Sequence, residues 1–341
     1  MEFIWDLVFG FWSFRFLRFS APRTMLTTLR NWSEFVKLSH TVFALPFALA
    51  AMVVAARDTR GWPGWRVFGL IIAAMVCART CAMAFNRIVD RKFDALNPRT
   101  AQRHLPAGKI SLAGAWTLWA VSAVGLVAAS YFLNPICFYL SPVALVVVCF
   151  YSFTKRFTDY THVFLGVALA LAPIGAWLAV RGEFGFVPQE ATGAAEEVAR
   201  AWAGQIFTGL IPIVLALAVV FWLIGFDIIY ALQDYEFDRR HGLHSLVVAW
   251  GPLNALRAAF LSHMITCALL LAFGLLCRFR VAFIVGWMVI VGCLMLEHWI
   301  ARRRSLNWVQ NAFFKLNAVV SLAFLGVTVA EVVFKGGFKL K

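Results

Sequence analysis

Charge is scarce in this chain, and acidic charge most of all. Only 14% of the 341 residues are charged, and 17 acidic side chains stand against 31 lysines and arginines. Hydrophobic residues make up 62%, which leaves too little polar surface for a soluble all-α enzyme of this length. Ligand-type cysteine spacing is also missing. Cys77, Cys81, Cys137, Cys149, Cys267, Cys277 and Cys293 fall in or at the edges of apolar runs, with no CxxC and no Cys/His pairing. Neither a disulfide framework nor a zinc centre is indicated, and packing is the role left for these thiols. Residues 1–30 have no convincing small-residue cleavage site and do not read as a signal peptide.

What the chain has is long apolar sequence. A bilayer core of about 30 Å needs roughly 20 apolar residues per helix. That length predicts nine spans, at 37–56, 67–89, 112–132, 135–153, 161–181, 208–231, 254–277, 281–300 and 314–335. The expected fold class is all-α: a polytopic membrane protein, its helices bundled around a central cavity open to the cytoplasm. Residues 1–32, rich in aromatics and carrying Arg15, Arg18, Arg23 and Arg30, read as an interfacial or disordered segment. Translation starting at Met25 is an alternative account of them. Residues 33–341 form one domain.

The net charge of +14 invites a nucleic-acid reading, but its placement argues otherwise. With a cytoplasmic amino terminus, cytoplasmic segments carry about twice as many lysines and arginines as the opposite side. Basic excess then marks topology and anionic headgroups first, and a substrate phosphate second. No nucleic-acid partner is expected.

Five of the 17 acidic residues, with one asparagine, form two clusters, each where an apolar span ends. Asn86, Asp90 and Asp94 lie in NRIVDRKFD, spaced i, i+4, i+8 along one helical face. Asp227, Asp234 and Asp238 lie in DIIYALQDYEFD, spaced i, i+7, i+11 and again on one face. Ionisable groups at membrane depth are expensive and point to function. Two facing rows of carboxylates suit Mg²⁺, a hard cation that leaves room for waters and substrate phosphates. The six residues are therefore the candidate metal ligands.

Cations follow each row. Asn97-Pro98 breaks the helix after Asp94, and Arg99, Arg103, His104 and Lys109 come next. After the fourth span, Tyr151 and Lys155 share a helical face and Arg156 adjoins them. The bland readings are a self-neutralising loop and a snorkelling membrane anchor. The functional reading is a diphosphate held by metal ions and charge-assisted contacts from Arg103, Lys155 and Arg156. His241 and His244 read as surface loop histidines, and Arg302, Arg303 and Arg304 as a topology signal.

These segments resemble a known family. CAMAFNRIVDRKFDALNPRTAQRHLPAGKIS and DIIYALQDYEFDRRHGLHSL are similar to the two signature regions of the UbiA-type intramembrane aromatic prenyltransferases. YSFTKR resembles that family's Tyr-x-x-x-Lys motif, and the likeness runs from about residue 33 onward. Within the family the chain looks closest to the 4-hydroxybenzoate polyprenyltransferases. One departure stands out: VKLSHTVFALPFALA, with Lys37 and His40, looks more like the menaquinone (futalosine) branch than the Arg-x-x-x-Pro of ubiquinone-pathway enzymes.

The resemblance implies Mg²⁺-dependent transfer of a polyprenyl group from its diphosphate to a ring carbon of a hydroxylated aromatic acid. The acceptor would be 4-hydroxybenzoate, or alternatively 1,4-dihydroxy-6-naphthoate, in quinone biosynthesis at a bacterial inner membrane. Asp90, Asp234, Arg91 and Tyr151 would be catalytic. Asn86, Arg103, Lys155, Arg156, Lys37 and His40 would bind substrates, with Arg91 or Arg156 clamping the acceptor carboxylate. An ion-coupled transporter is the alternative from another class. It leaves two Asp rows on one face, with cationic loops beside them, unexplained.

Overall fold

The computed structural model describes residues 31–37, 43–186, 195–303 and 306–334, and among these it is all-helical. In chain order the helices are α1 (Leu45–Ala55), α2 (Trp65–Leu96), α3 (Leu112–Leu133), α4 (Pro135–Thr154), α5 (Thr161–Arg181), α6 (Ala195–Ala231), α7 (Tyr235–Arg240), α8 (Leu246–Leu276), α9 (Val281–Arg303) and α10 (Leu306–Val333). A 3₁₀ turn, Leu232–Asp234, joins α6 to α7. Eight helices among the described residues are long and apolar enough to cross a membrane, counting α6 with α7 as one. The expected first span is seen as the shorter α1, and residues 38–42, His40 among them, lie outside the described residues.

Capping chemistry sets several boundaries. Ser111 accepts a hydrogen bond from Gly114 N at 3.0 Å and starts α3. Asn134 caps α4, accepting from Cys137 N at 3.0 Å, with Pro135 at the first helical position. The same side chain donates from Nδ2 to Leu178 O at 2.8 Å, tying the start of α4 to the end of α5. Gly182, at φ 71°, ends α5 in the left-handed conformation that only glycine adopts freely.

Several helices overrun the apolar spans: α6 starts at Ala195 against the expected 208 and α10 at Leu306 against the expected 314, and α2 and α8 overrun as well. α2 continues to Leu96, carrying Asn86, Asp90 and Asp94 on regular helix beyond its lipid-compatible part. α8 begins at Leu246 because a short segment precedes a kink at Gly251-Pro252.

From α2 to α6 successive helices pack as neighbours, and α1 lies inside the bundle against α5 and α10 with nearly every residue buried. α5 and α6 approach closely at Gly166, where a Cβ would stand 2.8 Å from Val220 O. On the other side of the bundle a buried polar chain joins three helices. Trp222 Nε1 donates to Asn317 Oδ1 at 2.8 Å, and Asn317 Nδ2 donates to Glu297 Oε2 at 3.1 Å. In hydrocarbon such groups need one another. Between α2, α3, α4, α5 and α6 the bundle encloses a cavity of about 500 Å³, with Phe43 and Phe314 closing one side.

Candidate active site

Both acidic rows reach the same end of that cavity. Asn86, Asp90, Asp94, Asp227, Asp234 and Asp238 all line it, as do Lys37, Arg103, Tyr151, Lys155 and Arg156. The loop after α2 is built by local chemistry. Asn97 leaves the helix in extended conformation, its Oδ1 accepts from Arg99 N at 3.0 Å, and Thr100 Oγ1 donates to Asp94 O at 3.0 Å. That turn aims Arg99 and Arg103 back at the carboxylates.

Each carboxylate has its own partner. Asp94 pairs with Arg103 at 2.6 Å, and Asp238 with Lys155 at 3.2 Å. Asp90 accepts from Asn86 Nδ2 at 2.8 Å and lies 3.4 Å from Arg156. Asp234 takes a two-pronged contact from Arg99, at 2.9 and 2.5 Å, plus Asn97 Nδ2 at 3.1 Å. Asp227 meets His162 Nδ1 at 2.7 Å. Among the described residues no three carboxylate, histidine or cysteine side chains converge closely enough to hold an ion. Burial works against the Lys155 ammonium, but Asp238, Asp227 and Asp234 more than offset it and hold its pKa above the ordinary lysine value.

Several of these residues were not among the sequence-derived candidates. Arg99 and Asn97 bridge to Asp234 across more than a hundred residues. His162 is fully buried, with Nε2 lacking a hydrogen-bond partner. Arg79, on α2, lines the cavity, and its buried Nε has no partner either. Tyr151, Arg87 and Lys37 line the same cavity. An arginine inside an apolar span was the available signal for it; nothing in the sequence marks His162 as Asp227's partner.

Other expected residues sit elsewhere. Arg91 is exposed, donates to Ile88 O at 3.1 Å on its own helix, and does not line the cavity. His241 stacks on Phe237 and His244 pairs with Asp159 at 2.9 Å, both at the surface.

The cavity has three zones. Carboxylates and cations form its head. Aromatic rings of Phe43, Phe226, Tyr230 and Phe314 flank the head, with Phe43 and Phe226 at 5.5 Å and Tyr230 and Phe314 at 5.9 Å. Below lies a mostly apolar shaft between α3, α4 and α5. A charged head on an oily shaft inside a helical bundle suits a ligand with an anionic group and a hydrocarbon body.

The comparisons agree. The UbiA prenyltransferase family matches residues 44–319, and the chain belongs to that family of enzymes. It is 30% identical over 275 residues to 4-hydroxybenzoate octaprenyltransferase of Pseudomonas aeruginosa, covering 80% of this chain and 83% of the relative. The Vibrio parahaemolyticus enzyme of the same name is 27% identical, covering 82% and 89%. A UbiA homologue from Aeropyrum pernix K1, solved without ligands, superposes with TM-score 0.71 at 30% identity, covering 86% and 98%. A homologue from Archaeoglobus fulgidus, solved with GPP and Mg²⁺, gives 0.64 at 20%, covering 89% and 99%, a likeness of fold.

Proposed function

We propose that the protein transfers a polyprenyl group from its diphosphate to a ring carbon of 4-hydroxybenzoate, in quinone biosynthesis at a bacterial inner membrane. One observation carries the reading: the charged head, the apolar shaft and the unpartnered Arg79 all open on a single cavity. The diphosphate lies at the head and the tail in the shaft. The donor set fits Mg²⁺, being hard oxygens from Asp90, Asp94, Asp234 and Asp238, with Asn86 and Asp227 assisting. Held by these residues, Mg²⁺ would supply positive charge against the departing diphosphate.

The chain's own groups do the rest. Arg99, Arg103, Lys155 and Arg156 exchange their carboxylate partners for phosphate oxygens and stabilise the leaving group. The carbon–oxygen bond of the donor breaks with its electron pair going to the diphosphate. Phe226, Tyr230 and Phe314 offer ring faces to the allylic cation, and the oily walls keep water away. A ring carbon of the acceptor supplies the pair for the new bond, and the ring then loses its proton.

Arg79 clamps the acceptor carboxylate, a role its free Nε and place in the cavity suit better than those of Arg91. Tyr151, which lines the cavity together with Asp90 and Arg79, orients the ring between them. Lys37 also lines the cavity, where burial and the nearby Arg87, Arg103 and Arg99 bring its pKa down to about 7, leaving it only partly charged at neutral pH. The names of the curated relatives favour 4-hydroxybenzoate, whereas Lys37 and His40 favour 1,4-dihydroxy-6-naphthoate. Membranes containing the protein, given labelled prenyl diphosphate and each acid side by side, should prenylate the benzoate faster. Product from the naphthoate alone would move the protein to the other branch, and no product from either acid would remove the reading.

A further inference from the structure

Ring attack on a prenyl carbon is easier when the acceptor's hydroxyl has given up its proton, and a phenol holds that proton until about pH 10, as tyrosine does. A base in the cavity would remove this obstacle. Five of the basic side chains on the cavity wall are arginines, which do not release a proton in proteins. Lys155 is paired with Asp238 at 3.2 Å and serves the diphosphate, and the carboxylates serve Mg²⁺. Lys37 is the basic side chain that remains.

Its position is fixed by packing. Residues 31–35 are helical, and Trp32, Phe35 and Val36 pack with Ala84 and Ile88 of α2 and with Ile110 and Ala115. Glu34 reaches His104 at 3.7 Å, and Lys37 N donates to Glu34 O at 3.2 Å, closing the turn. At φ 48° Lys37 lies in the left-handed region that glycine enters freely and a side chain resists. Arg60 and Arg278 are the other described non-glycine residues with positive φ, and neither lines the cavity. A strained backbone held by its surroundings beside a cavity is where functional placement is found.

The surrounding charge suits a base. Four arginines act on Lys37: Arg87 and Arg79 from α2, and Arg103 and Arg99 from the loop that follows. Arg103 and Arg99 have carboxylate partners in Asp94 and Asp234, and Glu34 is turned to His104. Burial first, and these cations second, bring the lysine's pKa down to about 7, so that Nζ offers a lone pair at neutral pH. An acceptor carboxylate on Arg79 offsets part of that repulsion. Lys37 then holds a proton more firmly once the acceptor has docked.

We propose that Lys37 is the general base for the acceptor's hydroxyl. This rests on the prenyltransferase reading above. The O–H bond breaks, its electron pair stays on oxygen, and the proton goes to the Nζ lone pair. The ring carbon beside that oxygen bonds to the prenyl carbon as the donor's carbon–oxygen bond breaks toward diphosphate. That ring carbon then loses its own proton to the released diphosphate, which restores the phenolate. The Lys37 ammonium returns the first proton to oxygen and is neutral again.

The test uses Lys37→Arg and Lys37→Ala in the full chain, in detergent with Mg²⁺. In the parent, kcat/KM for 4-hydroxybenzoate should rise with pH through about 7 and then level off. Lys37→Arg keeps the charge but cannot release a proton. Its kcat near neutral pH should fall by roughly a hundredfold to ten-thousandfold, with the donor KM and the unfolding temperature at parent values. Its residual rate should climb toward the phenol's own pKa. Lys37→Ala should regain activity with added methylamine. Both variants should come closer to the parent with 3-chloro-4-hydroxybenzoate, whose halogen acidifies the hydroxyl. Full activity in Lys37→Arg, or a loss confined to the acceptor KM, overturns the proposal and leaves Lys37 as an anchoring charge. A rise through pH 7 that persists in both variants also overturns it, and the transferase reading stands. A parent that prenylates neither acid removes the transferase reading, and the base with it.

Discussion

Asp90 and Asp234 stand on opposite walls of the cavity head, each already engaged by an arginine. Replacing either with asparagine keeps the shape and removes one charge from the oxygens offered to Mg²⁺. Product formation should fall by roughly a hundredfold or more in each variant, the scale of losing one electrostatic stabiliser, while membrane expression stays at the parent level. Parent-level turnover in both would rule out metal ions held between the two rows. Arg79→Ala should raise the KM for the aromatic acid by roughly tenfold to a hundredfold, the worth of one charge-assisted contact, and leave the donor KM near its parent value. Arg79→Lys should recover part of the loss, since lysine keeps the charge without the fork. A change confined to the donor KM would assign Arg79 to the diphosphate. The shared face of Asn86, Asp90 and Asp94 could be read from sequence because α2 is regular there, whereas the helical spacing expected for Asp227, Asp234 and Asp238 is interrupted by the 3₁₀ turn Leu232–Asp234. Their partners could not: Asp234 meets Arg99 and Asp227 meets His162 only after helices distant in sequence pack together.

Element boundaries were legible where punctuation chemistry is strong. The spans expected at 112–132, 135–153 and 161–181 match α3, α4 and α5 within a residue at either end, because Ser111, Asn134-Pro135 and Gly182 are caps with known physics. They were less legible where helix outlasts hydropathy. α2 runs seven residues past the expected 67–89, since its final turns face ion pairs and not lipid. The start of α8 was hidden by its own Gly251-Pro252 kink. Asn134 offers a direct test of cap and crosslink together. Asn134→Ala removes the acceptor for Cys137 N and the donor to Leu178 O. It should cost about 1–2 kcal/mol, seen as a lower unfolding temperature in detergent with activity intact below that temperature. An unchanged midpoint would mean that neither bond contributes.

Across the whole molecule, the acidic rows, the loop after α2 and the α4–α5 turn share one end of the bundle. We propose that this end faces the cytoplasm, since lysine and arginine are in excess on that side. In a cysteine-free background, cysteines replacing Thr100 and Leu243 should resist an impermeant thiol reagent in intact cells and react once the membrane is opened. One replacing Glu183 should react from outside. The reverse pattern would invert the topology. The polar chain through Trp222, Asn317 and Glu297 bears on how the molecule is made. Glu297 and Asn317 face each other from consecutive helices, and an acidic residue entering lipid without a partner is costly on insertion scales. α9 and α10 should therefore leave the translocon as a hairpin, each masking the other's polar group. A nascent chain cut short between them would present Glu297 to lipid alone, and such a fragment should be retained by the insertion machinery or degraded.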